Sequence, residues 1–273
     1  MRFLVAGGDL RMLTVLRLLR EAGHNCTELA LSNEDDGGIA PKIKESDAVI
    51  LPLPCEKGGK LNSPMWHRQT DIGDIFSAGT ENTLFIGGAM PCTGDNFIDY
   101  SLREDFLLQN AHLTAEGALA LALNNTDISL RGAKTIIMGY GRIGQFLAQM
   151  LKALNSRVTI VARREESRVL AKTQGMDAVG FRHLAEKLNS AEVVFNTIPF
   201  PVIGEAELSA ASANALFIEL ASLPGGIDAF AAEHQGKKLI KAPGLPGKTA
   251  PETAGRIIFE TVCRILEERG FAI

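Results

Sequence analysis

The chain has 273 residues, a formal net charge of −4, 46% hydrophobic and 22% charged side chains. These are values of a globular α/β protein long enough for two domains. The acidic balance argues against nucleic acid or an anionic membrane as the main partner, and no apolar run reaches the length of a membrane-spanning helix. Cys26, Cys55, Cys92 and Cys263 lack C-x-x-C spacing, and His24, His67, His112, His183 and His234 are isolated. Reduced thiols in a cytoplasmic protein without a metal site are therefore expected.

In chain order, a strand is predicted over residues 2–6, starting at the N-terminus where a signal peptide would otherwise stand. An amphipathic helix over 10–22 follows, with further strands over 27–31, 47–51 and 83–86. Strands alternating with helices predict a parallel sheet, and ligands bind beyond the carboxyl ends of such strands. Segments 7–11, 52–55 and 87–91 should then share one edge. Residues 57–71, with Gly58-Gly59 and Pro64, read as a surface loop. A helix over 114–124, its first turn capped by Thr114, joins a second domain. That domain has strands over 135–138, 157–161, 193–195, 216–218 and 239–240. The capping box Thr249-x-x-Glu252 opens a last helix to about residue 269.

The strongest chemical signal is Gly139-Tyr140-Gly141-Arg142-Ile143-Gly144, between an apolar strand and a helix predicted over 143–154. This is the Rossmann arrangement for a dinucleotide pyrophosphate. Gly139 permits the tight turn, Gly141 the close approach of backbone to phosphate, and Gly144 the packing of helix on strand. The helix N-terminus adds amide donors and partial positive charge. The strand over 157–161 closes the βαβ unit and ends in Ala162-Arg163-Arg164-Glu165-Glu166-Ser167-Arg168. An arginine where NAD enzymes place an acid suits a 2′-phosphate, and Arg164 and Arg168 lie four apart on one helix turn. NADP, rather than NAD, is the expected cofactor.

Three turn-rich loops follow the later strands and together define a cleft. Asn196-Thr197-Ile198-Pro199 is placed to meet the nicotinamide carboxamide, residues 219–228 carry Ser222 and a Pro-Gly-Gly turn, and residues 244–248 end in Lys248. Residues 242–249 imitate a P-loop, but Pro243, Pro246 and Pro251 remove amide donors that a phosphate cradle needs. Lys248, expected at a helix N-terminus, suits a substrate carboxylate instead.

These segments resemble the A-subunit family of dipicolinate synthase, from spore-forming bacteria. The residues that carry the likeness are Gly7-Gly8-Asp9-Leu10-Arg11, Thr114-Ala115-Glu116-Gly117, residues 139–144, Ala162-Arg163, residues 196–199, 220–226 and 242–247, Ala250-Pro251 and Thr253-Ala254-Gly255. One departure is His112-Leu113, where an isoleucine-proline pair is expected. The resemblance implies two Rossmann-like α/β domains with parallel sheets and a cleft between them, and a C-terminal helix returning to the first. The expected division is 1–113 with 250–273 as the substrate domain, and 114–249 as the dinucleotide domain.

It further implies NADP-linked oxidation of a dihydrodipicolinate-type intermediate of the lysine branch to dipicolinate, in the mother cell during sporulation. The flavodoxin-like B subunit of dipicolinate synthase is the implied partner, and a homo-oligomer the expected assembly. Arg11 and Lys248 are then candidates for holding the two carboxylates of a small cyclic substrate, Ser222 and Thr114 for neutral donors, and Glu116 for a general base. The competing expectations are a dehydrogenase of the 2-hydroxyacid or shikimate type, or a nucleotide-binding protein inactive without its partner.

Overall fold

Phe3, Leu4, Val5 and Ala6 form an uninterrupted apolar run, and all four are buried. Such a run marks a strand covered on both faces. In the computed structural model, which describes residues 1–33 and 38–273, it is the second strand of a five-stranded sheet. Contacts divide the chain into two compact units, Met1–Asn110 with Ala250–Ile273, and Ala111–Thr249.

The first unit contains β1 (Arg2–Ala6), α1 (Leu10–Glu21), β2 (Asn25–Leu29), α2 (Ile39–Lys44), β3 (Ala48–Ile50), β4 (Glu56–Lys57), β5 (Lys60–Leu61), α3 (Ile72–Ser77), β6 (Leu84–Gly87) and β7 (Phe97–Asp99). Its main sheet runs β2-β1-β3-β6-β7, all parallel. The turn after β1 needs Gly8, whose φ is +98° and whose added Cβ would lie 2.3 Å from Cγ of Met12. Asp9 then caps α1 by accepting from the Arg11 amide. The segment read as a loop from residue 57 begins instead in a small antiparallel hairpin, β4 with β5, turned by Gly58-Gly59. Both glycines have positive φ, so the turn chemistry is local.

Helix α4 (Glu104–Asn125) starts ten residues before the expected position. Thr114 therefore lies mid-helix and buried, with no N-terminal turn to cap. The actual start carries Glu104 and Asp105. Asp105 accepts from the Phe106 amide at 2.9 Å and pairs with Arg103 and Arg264. Those bonds hold its carboxyl below the usual carboxylate range, the Arg103 bond contributing most.

The second unit continues with β8 (Lys134–Met138), α5 (Arg142–Ala153), β9 (Arg157–Val161), α6 (Glu165–Thr173), β10 (Asp177–Val179), α7 (Leu184–Leu188), β11 (Val193–Asn196), α8 (Glu205–Ala210), β12 (Leu216–Glu219), α9 (Ala229–His234), β13 (Lys238–Lys241) and α10 (Leu245–Thr249). The six strands are parallel in the order β10-β9-β8-β11-β12-β13. This is the doubly wound order, with its switch between β8 and β11. Successive residues serve opposite faces. Ile137, Ile160, Phe195 and Ile218 join one core, whereas Ile136, Val161, Val194 and Phe217 join the other. The alanines Ala115, Ala118 and Ala122 of α4 pack into the first of these.

The last helix, α11 (Pro251–Glu268), belongs to the first unit and packs along α1. A Cβ on Gly255 would stand 2.5 Å from the carbonyl oxygen of Arg11, so only glycine admits this approach. The expected capping box does not form. Proline at the first helical position starts α11, the Thr249 hydroxyl donates back to the Leu245 carbonyl at 2.9 Å, and Glu252 accepts from Thr14 and Arg17. Among the described residues no helix is long and apolar enough to cross a membrane.

Candidate functional site

The turn from β8 into α5 has the shape a dinucleotide requires. Gly139 has φ +92°, and a Cβ there would lie 2.4 Å from Oγ1 of Thr197. Gly144 faces the Gly139 carbonyl so closely that a Cβ would sit 2.4 Å from that oxygen, which fixes helix against strand. Beside Gly141 an added Cβ would meet nothing within 4 Å. The space next to the uncapped start of α5 is open, and no side chain caps that turn. Amides of Arg142, Ile143 and Gly144 at a helix N-terminus, with room for an oxyanion beside them, fit a pyrophosphate. The turn is braced from behind, since the Gln145 amide group donates to the Tyr140 carbonyl and the Tyr140 hydroxyl to Gln174 at 2.6 Å.

On the other side of the switch point, Thr197 follows β11 and donates through its backbone and hydroxyl to the Met138 carbonyl. Pro199 is exposed. Asn196 differs from expectation: its side chain is fully buried, with Nδ2 donating to the Ile198 carbonyl and to Glu219, and Oδ1 accepting from the Ile198 amide. It shapes the loop from beneath instead of extending outward from it.

Glu219, which no sequence motif marks, is the centre of this region. The residue is only 6% exposed, and its carboxylate accepts four N–H groups. Asn196 Nδ2 at 2.7 Å and the Ala221 amide at 3.0 Å reach Oε1; the amides of Gly226 at 2.8 Å and Ile227 at 3.0 Å reach Oε2. The available signal is an acid closing an apolar strand just before Pro224-Gly225-Gly226. Residues 219–229 and 241–244, with Pro201, line a cavity of about 830 Å³ at the carboxyl ends of β12 and β13. Ser222 is on its lining and exposed. A smaller cavity of about 390 Å³ lies by the first residues of β8, β9 and β10, at the edge of the sheet opposite to that on which such folds bind ligands.

The remaining candidates are dispersed. Lys248 is exposed on the last turn of α10, so the expected helix N-terminus is not its setting. Glu116 is on α4, half-exposed, 3.8 Å from Nδ1 of His112, and His112 stands edge-on to Phe146 at 5.2 Å. Arg11, in the first unit, is buried. Its Nε and Nη2 bind the Asp9 carboxylate at 2.8 and 3.0 Å, and Nη2 also donates to the Leu53 carbonyl.

A parallel sheet with its glycine turn at the switch point, in a two-unit chain whose last helix rejoins the first unit, is the fold of the two-domain nicotinamide-dinucleotide dehydrogenases. Residues 2–103 match the N-terminal domain of the dipicolinate synthase A subunit, and residues 110–222 the D-isomer specific 2-hydroxyacid dehydrogenase, NAD binding domain. Over nearly its whole length the chain is homologous to the A subunit of dipicolinate synthase. It is 28% identical to that protein from Bacillus subtilis (strain 168), covering 98% of this chain and 96% of the relative. The crystal structure of the Bacillus halodurans A subunit superposes with a TM-score of 0.85 at 26% identity, covering 97% of both chains. That of its Bacillus subtilis counterpart gives 0.84 at 27%, covering 98% of this chain and 96% of that one.

The expectation of NADP is corrected by these findings, because the matched domain is an NAD binding domain. The geometry supplies a reason. Arg168 does not project beside Arg164 towards a phosphate; its Nη1 donates to the Ala162 and Arg163 carbonyls at 2.7 Å each, and Nη2 pairs with Glu165. Arg164 is the N-cap residue of α6, and Arg163 is exposed. Of these arginines, it is Arg168 that closes its own turn.

Proposed function

We propose that this chain oxidises a dihydrodipicolinate-type intermediate to dipicolinate, with NAD as the hydride acceptor. The observation that carries the reading is end-to-end homology to the A subunit of dipicolinate synthase, spanning both units. When bound, the nicotinamide supplies the acceptor for a hydride leaving the dihydropyridine ring. A ring proton must leave as well, and the product gains aromaticity, so the protein's task is chiefly orientation and charge.

Residues 139–144 hold the pyrophosphate in this reading. Arg11 and Lys248 are the proposed partners of the substrate carboxylates, Ser222 and Thr114 the neutral donors. Glu116, paired with His112, is the proposed proton acceptor. Asp9 and the Leu53 carbonyl take Nε and Nη2 of Arg11 and fix the guanidinium plane, so Nη1 is the proposed donor to a carboxylate. The flavodoxin-like B subunit is the proposed partner.

The test supplies the purified chain with the freshly generated intermediate and NAD, with and without that flavodoxin-like partner, and follows the near-ultraviolet absorbance of reduced nicotinamide. Turnover to an aromatic dicarboxylate is expected. Binding of NAD without turnover under any of these conditions would overturn the assignment. A second reading, oxidation of a D-2-hydroxyacid, is favoured by the match over residues 110–222. A panel of such acids in the same assay separates the two.

A further inference from the structure

We infer that Glu219 is a positioning residue for the nicotinamide half of the bound dinucleotide, acting through the two loops it ties together. The inference rests on the dinucleotide reading of residues 139–144, and not on the identity of the substrate.

An ionised carboxylate offers about four lone-pair sites, and all four of the Glu219 bonds are made inside the protein. Three donors are amides of the loop that Glu219 itself opens, Ala221 before the turn and Gly226 and Ile227 after it. The carboxylate thus closes that loop on itself. The fourth donor, Asn196 Nδ2, belongs to the neighbouring strand, and Asn196 in turn fixes Ile198 through two further bonds. Burying a carboxylate is costly unless its oxygens are bonded. A turn that only reversed the chain would not need it.

The two loops also touch backbone to backbone. A Cβ on Gly226 would meet Asn196 Nδ2 at 2.4 Å, the Ile198 carbonyl oxygen at 2.6 Å and that of Phe200 at 2.8 Å. The loop after β12 therefore lies directly on the loop after β11, and both are held by one carboxylate. In a doubly wound sheet, each half binds one mononucleotide on its side of the switch point. The glycine turn and β9 define the ADP half. The joined loops after β11 and β12 stand on the other half, where the nicotinamide belongs. Their common anchor sets the height and tilt of the surface offered to that ring.

Neutralising Glu219 should cost affinity for the nicotinamide half alone. The experiment measures binding of NAD and of ADP-ribose, which lacks the nicotinamide, by calorimetry without substrate. Glu219→Gln is expected to weaken NAD about tenfold or more while ADP-ribose stays within about twofold of wild type. Gly226→Ala, which leaves the carboxylate in place but forces the loops apart, should show the same selectivity and carries the test if Glu219→Gln does not fold. Equal losses for both ligands, or unchanged NAD affinity in a folded variant, would overturn the inference. A wild-type chain that binds neither ligand would overturn the dinucleotide reading and the inference with it. Failure of the dipicolinate assay alone would touch neither.

Discussion

The hydroxyl of Thr14 on α1 donates to the carboxylate of Glu252 on α11 at 2.8 Å, joining residues 238 positions apart. Arg17 reaches the other oxygen. The Thr14 bond above all, with the Arg17 pair behind it, holds the Glu252 carboxyl below its ordinary range. A group whose folded pKa lies below its unfolded one stabilises the native state fully above the unfolded value, and the contribution drains away as pH falls through the folded one.

Glu252→Gln should therefore lower Tm at neutral pH and flatten its fall in acid. Melting curves taken from neutral pH downwards would show the wild-type and variant lines converging below the ordinary glutamate pKa. Parallel lines would remove Glu252 from the acid response.

Gly139→Ala should cost dinucleotide affinity by about tenfold or more, since a side chain at φ +92° adds strain and its Cβ would collide with Oγ1 of Thr197. Titration with NAD, alongside a thermal melt to confirm folding, measures it. Unchanged affinity would contradict the binding role of the turn.

Arg168→Ala should destabilise the second unit by about 1.5–3 kcal/mol, the range for hydrogen bonds to a charged group, because two carbonyls lose their donor. The ratio of NAD to NADP affinity should not move. A change in that ratio would restore Arg168 as a reader of the cofactor.

The Cys55 thiol is buried, and desolvation, assisted by Glu56 and Asp99, pushes its pKa up to about 12. The reactive thiolate is then almost absent at neutral pH. Brief alkylation of the native protein, read by mass spectrometry, should leave Cys55 unmodified, and denaturant should expose it. Rapid native labelling would show that the loop over Cys55 opens.

Period and composition made the central strands of both sheets readable, because these are apolar runs bounded by turn residues, as in Leu4-Val5-Ala6-Gly7 and Ile136-Ile137-Met138-Gly139, whereas the three-residue edge strands β7 and β10 carry too short a pattern to be predicted. The glycine turn was readable for the same local reason. Less was visible where a distant partner decides. Thr249 and Glu252 have capping-box spacing, yet Glu252 answers to Thr14 and Arg17 on another helix. Thr114 has the look of a cap, but Asp105 and its arginines begin the helix earlier. The arginines after β9 suggest a phosphate reader, whereas the carbonyls of Ala162 and Arg163 occupy Arg168. The Glu219 network joins two loops separated by a strand and a helix, and nothing in either loop alone announces it.

The close seat of Gly255 on Arg11 bears on the order in which the chain can mature. Synthesis runs from the N-terminus, so the contiguous unit of residues 111–249 is complete before α11 emerges. Until then the α1 surface that α11 covers is bare, with Thr14 and Arg17 lacking their carboxylate. The nucleotide-binding unit can reach its native form while synthesis continues, whereas the unit that precedes it must wait for residues 250–273.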